Sequence, residues 1–317
     1  MIYSWHKETW DKFVKARTHG HLPHALLLSG VGGIGKLALA KSMVKSLLCL
    51  KPENYQACDN CQGCKTYESD ANPDYLQVEL LEGKQQIGVD QIRQIANFLN
   101  YTRSFNAYRV ILLNPAERMN KNAANSLLKS LEEPTNNTVI ILLTESLGSI
   151  IPTIKSRCQL LPIATPTKKQ SIDWLQAYEP VISNPESALE IANGKPLYAI
   201  DIDENIVKSR EELAVDILDI TLENKSISEI AKKWEKFDLT SLLNWQITWV
   251  QSYIKNTQNI TSTQLKIKEK IPSSHQWELY QALLVQKGLV HTSVNTLIFV
   301  ENMLISWLKA SQCYATK

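Results

Sequence analysis

A chain of 317 residues, 44% hydrophobic and 21% charged, has the composition of an ordinary folded protein and the length for two or three domains. Disordered and collagen-like architectures are excluded. No apolar run approaches the roughly 18 residues needed to span a bilayer, and the N-terminus MIYSWHKETWDKF lacks the apolar centre of a secretory signal, so a cytoplasmic location without a membrane partner is expected. The net charge of +2 divides into +4 over residues 1–163 and −2 over the remainder, so neither half is a broad basic surface for nucleic acid.

In chain order, Ser4 is placed to cap a helix carrying Trp5, Trp10, Phe13 and Val14 that stops near Gly20. His24–Ser29 is a short continuous apolar run, as expected of a strand buried on both faces in a parallel sheet. A glycine cluster follows, then a helix over Leu37–Cys49 and a cysteine-bearing insert over 50–66. Strands are expected at Tyr75–Leu80, Arg109–Asn114, Val139–Thr144 and Gln159–Ile163, with helices over 89–102 and from Asn120 to just before Pro134. Alternation of strands and helices implies a parallel sheet covered on both sides. A boundary is expected at 164–167, where ATPT supplies a linker and a cap, followed by a small helical module to residue 202. After Pro196 there is one proline, Pro272, and one glycine, Gly288, so the remainder reads as a helix bundle of five or six helices. Trp234, Trp245, Trp249, Trp277 and Trp307 are expected in its core.

Gly30-Val31-Gly32-Gly33-Ile34-Gly35-Lys36-Leu37 lies between a strand and a helix, the context of a Walker A phosphate loop, G-x-x-x-x-G-K-[ST]. Gly30, Gly32, Gly33 and Gly35 let backbone N–H groups curl around phosphate, and Lys36 supplies charge. The Mg²⁺-binding hydroxyl is missing, because Leu37 stands in its place and cannot ligate a hard cation. The strand that should end in Asp-Glu ends in Asn114 and Pro115, with Glu117 near but out of place. Two independent losses point away from hydrolysis. The loop reads best as retained for its turn, and bound nucleotide is not expected.

Cys49, Cys58, Cys61 and Cys64 form C-x8-C-x2-C-x2-C. Four thiolates with this spacing suit a tetrahedral structural Zn²⁺; a disulfide pair is the alternative, and it fits a reducing compartment poorly. Cys158 and Cys313 are expected as ordinary buried thiols.

Taken together, these motifs resemble the bacterial clamp-loader family of AAA+ proteins, and within it the delta-prime branch of DNA polymerase III. The resemblance is carried by Asn125–Glu145 (NSLLKSLEEPTNNTVIILLTE), by Ser156-Arg157-Cys158, by Leu22-Pro23-His24-Ala25-Leu26-Leu27, by Asn72-Pro73-Asp74 and by a zinc module directly after the phosphate-loop helix. The broken Walker motifs favour the delta-prime branch over the ATP-hydrolysing gamma/tau motor. Motif coverage is good over 20–163 and weak beyond about 200.

The resemblance implies an α/β AAA+ module (P-loop NTPase-like) over 1–163 with the four-cysteine zinc insert at 49–66, a helical lid over 164–202 and an all-α C-terminal collar over 203–317 that holds subunits together. It implies a non-hydrolysing stator working with delta and gamma/tau subunits to load a sliding clamp onto primed DNA, as part of a DNA-directed DNA polymerase (nucleotidyltransferase) assembly. Arg157 matches the family's trans arginine finger; on its own it reads as an exposed arginine closing a helix. Thr144 falls at the polar sensor position, or is simply a strand-end threonine. Asn193-Gly194-Lys195-Pro196-Leu197 lacks the lid arginine that active members use to sense phosphate. The competing readings are a gamma/tau-type motor and a zinc-dependent DNA-binding module, the latter with only Lys51 and Lys65 as basic residues around the cysteines.

Overall fold

Residues 2–178, 182, 184–202, 204–255, 261–290 and 295–312 are described in the structure, a computed structural model. The chain divides into two units, Met1–Glu179 with Gly194–Tyr198, and Pro180–Asn193 with Ala199–Lys317. The segment 164–202 is thus shared between them. Cys313 lies outside the described residues.

The first unit is built on a five-stranded sheet of β1 (Ala25–Ser29), β2 (Tyr75–Glu79), β3 (Arg109–Asn114), β4 (Thr138–Thr144) and β5 (Gln159–Pro162). All neighbours are parallel and the order is β2-β3-β4-β1-β5. In β1, Leu26 and Leu28 enter one apolar cluster while Ala25 and Leu27 enter another, the period of two that double-sided burial demands. The first cluster is closed by α1 (Lys7–Thr18) and α2 (Lys36–Leu48) through Trp10, Phe13, Leu39, Met43 and Leu47. The second is closed by α4 (Val89–Asn100) and α5 (Lys121–Glu132) through Ile92, Ile95, Ala123, Leu127 and Leu131. Each such buried leucine or isoleucine contributes about 2 kcal/mol.

Between α2 and β2 lies α3 (Gln62–Glu68), a helix within the cysteine insert; after β4 comes the one-turn α6 (Pro152–Lys155), and after β5 comes α7 (Lys168–Gln176). Asn120 caps α5, its side chain accepting the Ala123 N–H at 2.8 Å, and Thr167 opens α7 as a capping box with Gln170. Ser4 departs from its expected role. It is exposed within a 3-10 turn, Ser4–His6, and makes no side-chain cap. His6, fully buried, holds the turn instead: the Tyr3 N–H donates to Nδ1 (3.4 Å), which leaves Nε2 to donate to the Ile34 carbonyl at 2.8 Å.

The second unit contains α8 (Pro185–Ile191) and, among the described residues, α10 (Glu204–Thr221), α11 (Ile227–Trp234), α12 (Leu239–Ile254), α13 (Ser262–Lys270), α14 (Ser273–Leu289) and α15 (Thr296–Gln312); α9 (Pro196–Ala199) begins in the first unit. Trp234, Trp245, Trp249 and Trp307 are buried in its core. Trp277 is not: it is 52% exposed, because α14 turns Leu279 and Leu283 inward instead. Several polar groups inside are matched, although the buried Tyr253 hydroxyl has no partner among the described residues. The fully buried Gln246 accepts the Trp307 Nε1–H at 2.6 Å, and the buried Asp216 takes Lys233 at 2.8 Å and the Trp234 Nε1–H at 3.1 Å. No helix among the described residues is long and apolar enough to cross a membrane.

Candidate functional site: a filled phosphate loop, a thiol cluster and a tethered arginine

The register of β1 against β4 pairs Ser29 with Thr144, so the glycine loop leaves the sheet beside the end of β4. The Gly30 N–H donates to the Thr144 carbonyl at 3.2 Å. The buried Thr144 hydroxyl accepts the Ser146 N–H at 3.1 Å, so it shapes the turn after β4. Gly35 opens α2 with φ +82°, and a Cβ there would strike Tyr3 at 2.3 Å; only glycine fits.

Lys36 does not stand open to a ligand. Its ammonium donates to the Val31 carbonyl at 2.7 Å and to Glu145 Oε1 at 3.3 Å, and its side chain is 8% exposed. Glu145 is the residue after Thr144, and its own N–H donates to Glu117 Oε1 at 3.1 Å. A Cβ on Gly32 would lie 2.7 Å from the Tyr198 hydroxyl and 2.8 Å from Glu145 Oε2. Tyr198 and Lys195 also crowd Gly33, whose carbonyl accepts the Leu197 N–H at 3.0 Å. Burial and the Glu145 carboxylate both push the Tyr198 phenol upward, so it stays a neutral hydroxyl. The loop's lysine is therefore paired with the chain's own carboxylate, and the space beside Gly32 and Gly33 is occupied by Glu145, Lys195 and Tyr198. Behind it, Tyr3 stacks on Trp5 (centroids 4.9 Å apart), Trp174 sets its edge against both, and Trp5 Nε1–H donates to the Ile34 carbonyl at 2.9 Å.

Leu37 is the second residue of α2 and packs against the sheet core, with no oxygen to offer a cation. Asn114 closes β3 and Pro115 starts the turn that carries Glu117. Glu145 and Tyr198 lie against the loop, although the sequence motifs assign neither of them a role. Glu145 carries a usable signal, a carboxylate one residue past the β4 end that flanks the loop. Tyr198 carries none.

The four cysteines converge. Cys49 follows α2 in extended backbone, Cys61 is the N-cap of α3, and Cys64 lies within that helix. Their sulfurs all lie within 4.8 Å of one another, with Cys49–Cys58 at 3.5 Å, Cys49–Cys61 at 3.8 Å and Cys61–Cys64 at 3.5 Å. A tetrahedral ZnS4 centre with Zn–S of about 2.3 Å has sulfurs about 3.8 Å apart, so the donor set fits. None of the four is in a disulfide. Backbone N–H groups of Leu50 and Cys58 point at the sulfurs of Cys61 and Cys49, each at 3.3 Å, as groups that stabilise thiolate. Burial raises the Cys61 thiol, but hydrogen bonds from the Leu50 and Cys64 N–H groups and from the Cys64 and Cys58 side chains together outweigh it and bring it to about 6. Around the cluster, Lys45 pairs with Asp59 at 2.8 Å and with Glu68, and Asp74 of the Asn72-Pro73-Asp74 motif caps the 104–106 turn through three backbone N–H groups. Cys158 is half-buried against the second core cluster, and burial pushes its thiol up to about 11.

Arg157 lies apart from the phosphate loop, between α6 and β5. Its side chain is 35% exposed and tied to its surroundings. Nη2 sits 2.7 Å from Glu132 Oε1, and Nη1 donates to the Thr153 carbonyl at 3.0 Å and to Ser156 Oγ at 3.3 Å.

The strand order and the loop between β1 and α2 define an AAA+-type P-loop module. A solved gamma subunit-related protein of DNA polymerase III from Thermotoga maritima shares the fold at TM-score 0.51 and 19% identity, over 96% of this chain and 99% of that one. The family model described as DNA polymerase III, delta subunit, matches residues 5–167. DNA polymerase III subunit delta' of Pseudomonas aeruginosa is 31% identical over 96% of this chain and 97% of its own length, and that of Escherichia coli is 32% identical over 61% and 58%. The chain belongs to the DNA polymerase III subunit delta' family.

Proposed function

We propose that the chain is the non-hydrolysing stator of a bacterial clamp loader, working with delta and gamma/tau subunits to place a sliding clamp on primed DNA. In this reading residues 1–163 are the AAA+ module, 164–202 the lid and 203–317 the collar that joins the subunits, all in the cytoplasm. The observation that carries it is Lys36 paired with Glu145 inside a loop that Tyr198 also fills. A phosphate would have to displace both groups, and Leu37, Asn114 and Pro115 would then supply neither metal ligand nor water partner. The same geometry disfavours the gamma/tau-type motor.

Arg157 is the residue proposed to act, as a finger toward nucleotide held by a neighbouring motor subunit. A guanidinium presents several donors in a planar fork and stays charged at working pH, which suits a phosphate whose charge grows in the transition state. Cys49, Cys58, Cys61 and Cys64 would hold a structural zinc, which would tie the insert to the end of α2. The test is ATP turnover. The isolated chain should show none above background with Mg²⁺, and a reconstituted complex carrying Arg157→Ala should turn over and load more slowly than wild type while fully assembled. Turnover by the isolated chain overturns the stator reading.

A further inference from the structure

We propose that Glu132 is the positioning residue of Arg157, holding the guanidinium where it can reach a neighbour's phosphate; this rests on the reading of Arg157 as a trans finger. Glu132 is the last residue of α5, and Arg157 follows α6. The two helices are locked together beneath the pair by Leu127, Leu131 and Ile154, all essentially inaccessible. The 2.7 Å separation between Glu132 Oε1 and Arg157 Nη2 is therefore set by packed secondary structure rather than by two wandering side chains. The Thr153 carbonyl and Ser156 Oγ take the two Nη1 hydrogens. Among the described residues, Nε–H and the second Nη2 hydrogen have no partner, so two donors of the fork remain for an incoming oxygen.

This arrangement has a physical consequence. An arginine on a surface turn samples many rotamers, and each must be given up when it meets a phosphate. Here the carboxylate and the carbonyl have already restricted them, so the guanidinium arrives oriented. Repulsion between Glu132 and the phosphate opposes this, but the carboxylate is 48% exposed and well screened. Orientation outweighs repulsion, and removing the carboxylate slows the reaction.

The experiment uses complexes reconstituted from the full chain with delta-type and gamma-type subunits, clamp and primed DNA. Loading rate and the kcat and KM for ATP are measured for Arg157→Ala, Glu132→Ala, Glu132→Gln and the double alanine variant, each first shown to assemble. Glu132→Ala should slow loading by roughly 10- to 100-fold with KM for ATP unchanged. Glu132→Gln, which keeps an acceptor oxygen, should recover part of the loss. The double variant should be no slower than Arg157→Ala alone, because Glu132 acts through Arg157. Wild-type or faster loading by Glu132→Ala, beside a slow Arg157→Ala, overturns the positioning role and leaves the finger standing. Losses that multiply in the double variant also overturn it, since Glu132 would then act elsewhere. A wild-type rate for Arg157→Ala removes the finger reading itself, and the proposal with it.

Discussion

Lys36 Nζ and Glu145 Oε1, 109 residues apart in the chain, lie 3.3 Å from each other at the mouth of the glycine loop. A lysine that serves phosphate in active relatives of this fold is here neutralised from within. Restoring a single missing part should therefore not restore the motor. Leu37→Thr returns a Mg²⁺-binding hydroxyl, yet Asn114, Pro115 and the Glu145 contact are unchanged. ATP turnover by this variant should remain at background in a phosphate-release assay; clear turnover would show that the β3 end is compensated, with Glu117 the nearest carboxylate to do it.

Removing the internal anion should do more for binding than adding the hydroxyl. Glu145→Ala removes the Lys36 ammonium's anionic partner, leaving its bond to the Val31 carbonyl, and clears one of the two groups crowding Gly32. Inorganic tripolyphosphate should then bind weakly, with Kd on the order of 1 mM, and the affinity should fall with salt. Calorimetry of wild type and variant checks this. The cost to stability should be small, about 1 kcal/mol or less, because Glu145 is 53% exposed and water replaces it readily.

Purified, reduced protein should carry about one zinc ion per chain by elemental analysis. Cys61→Ser should lower metal content and loosen residues 49–66, read as faster proteolysis of that segment. In isolated finger peptides the metal contributes on the order of 10 kcal/mol; here the packed sheet should keep most of the fold when the metal is stripped. Metal-free protein with the insert still protected would contradict the assignment.

His6 predicts a pH effect at the N-terminus. Burial lowers its pKa below the ordinary value of 6.5, and the hydrogen bond to the Ile34 carbonyl offsets this only in part. The unfolded chain therefore binds the proton first as pH falls. The stabilisation from neutral, buried His6 is complete above about pH 6.5 and is lost as pH drops through the lower folded value. Thermal melts at pH 7.5 and 5.5 should show a larger fall in Tm for wild type than for His6→Gln, since the carboxylates titrate alike in both.

How far the chain can be read without its structure depends on how local each cause is. The β1 strand is legible because continuous apolar character is what double-sided burial needs, and the thiol cluster because three of its four ligands sit within seven consecutive residues. The Asn120 and Thr167 caps are legible for the same reason. What escapes depends on distant packing. The place of Glu145 just past β4 is legible but its pairing with Lys36 needs the β1–β4 register, and nothing near Arg157 signals Glu132, whose approach depends on α5 and α6 sharing a core. Ser4 misleads because Tyr3 and His6 hold that turn through Ile34, and Trp277 because α14 is apolar on more than one face.

The central claim is that this chain is an assembly subunit with a closed phosphate loop. Native mass spectrometry of the chain mixed with delta-type and gamma-type subunits in the presence of ATP tests it most directly. The account predicts one complex containing a single copy of this chain, with nucleotide mass that matches the gamma-type subunits alone. A chain that stays free of the complex, or that carries its own nucleotide within it, would contradict the account.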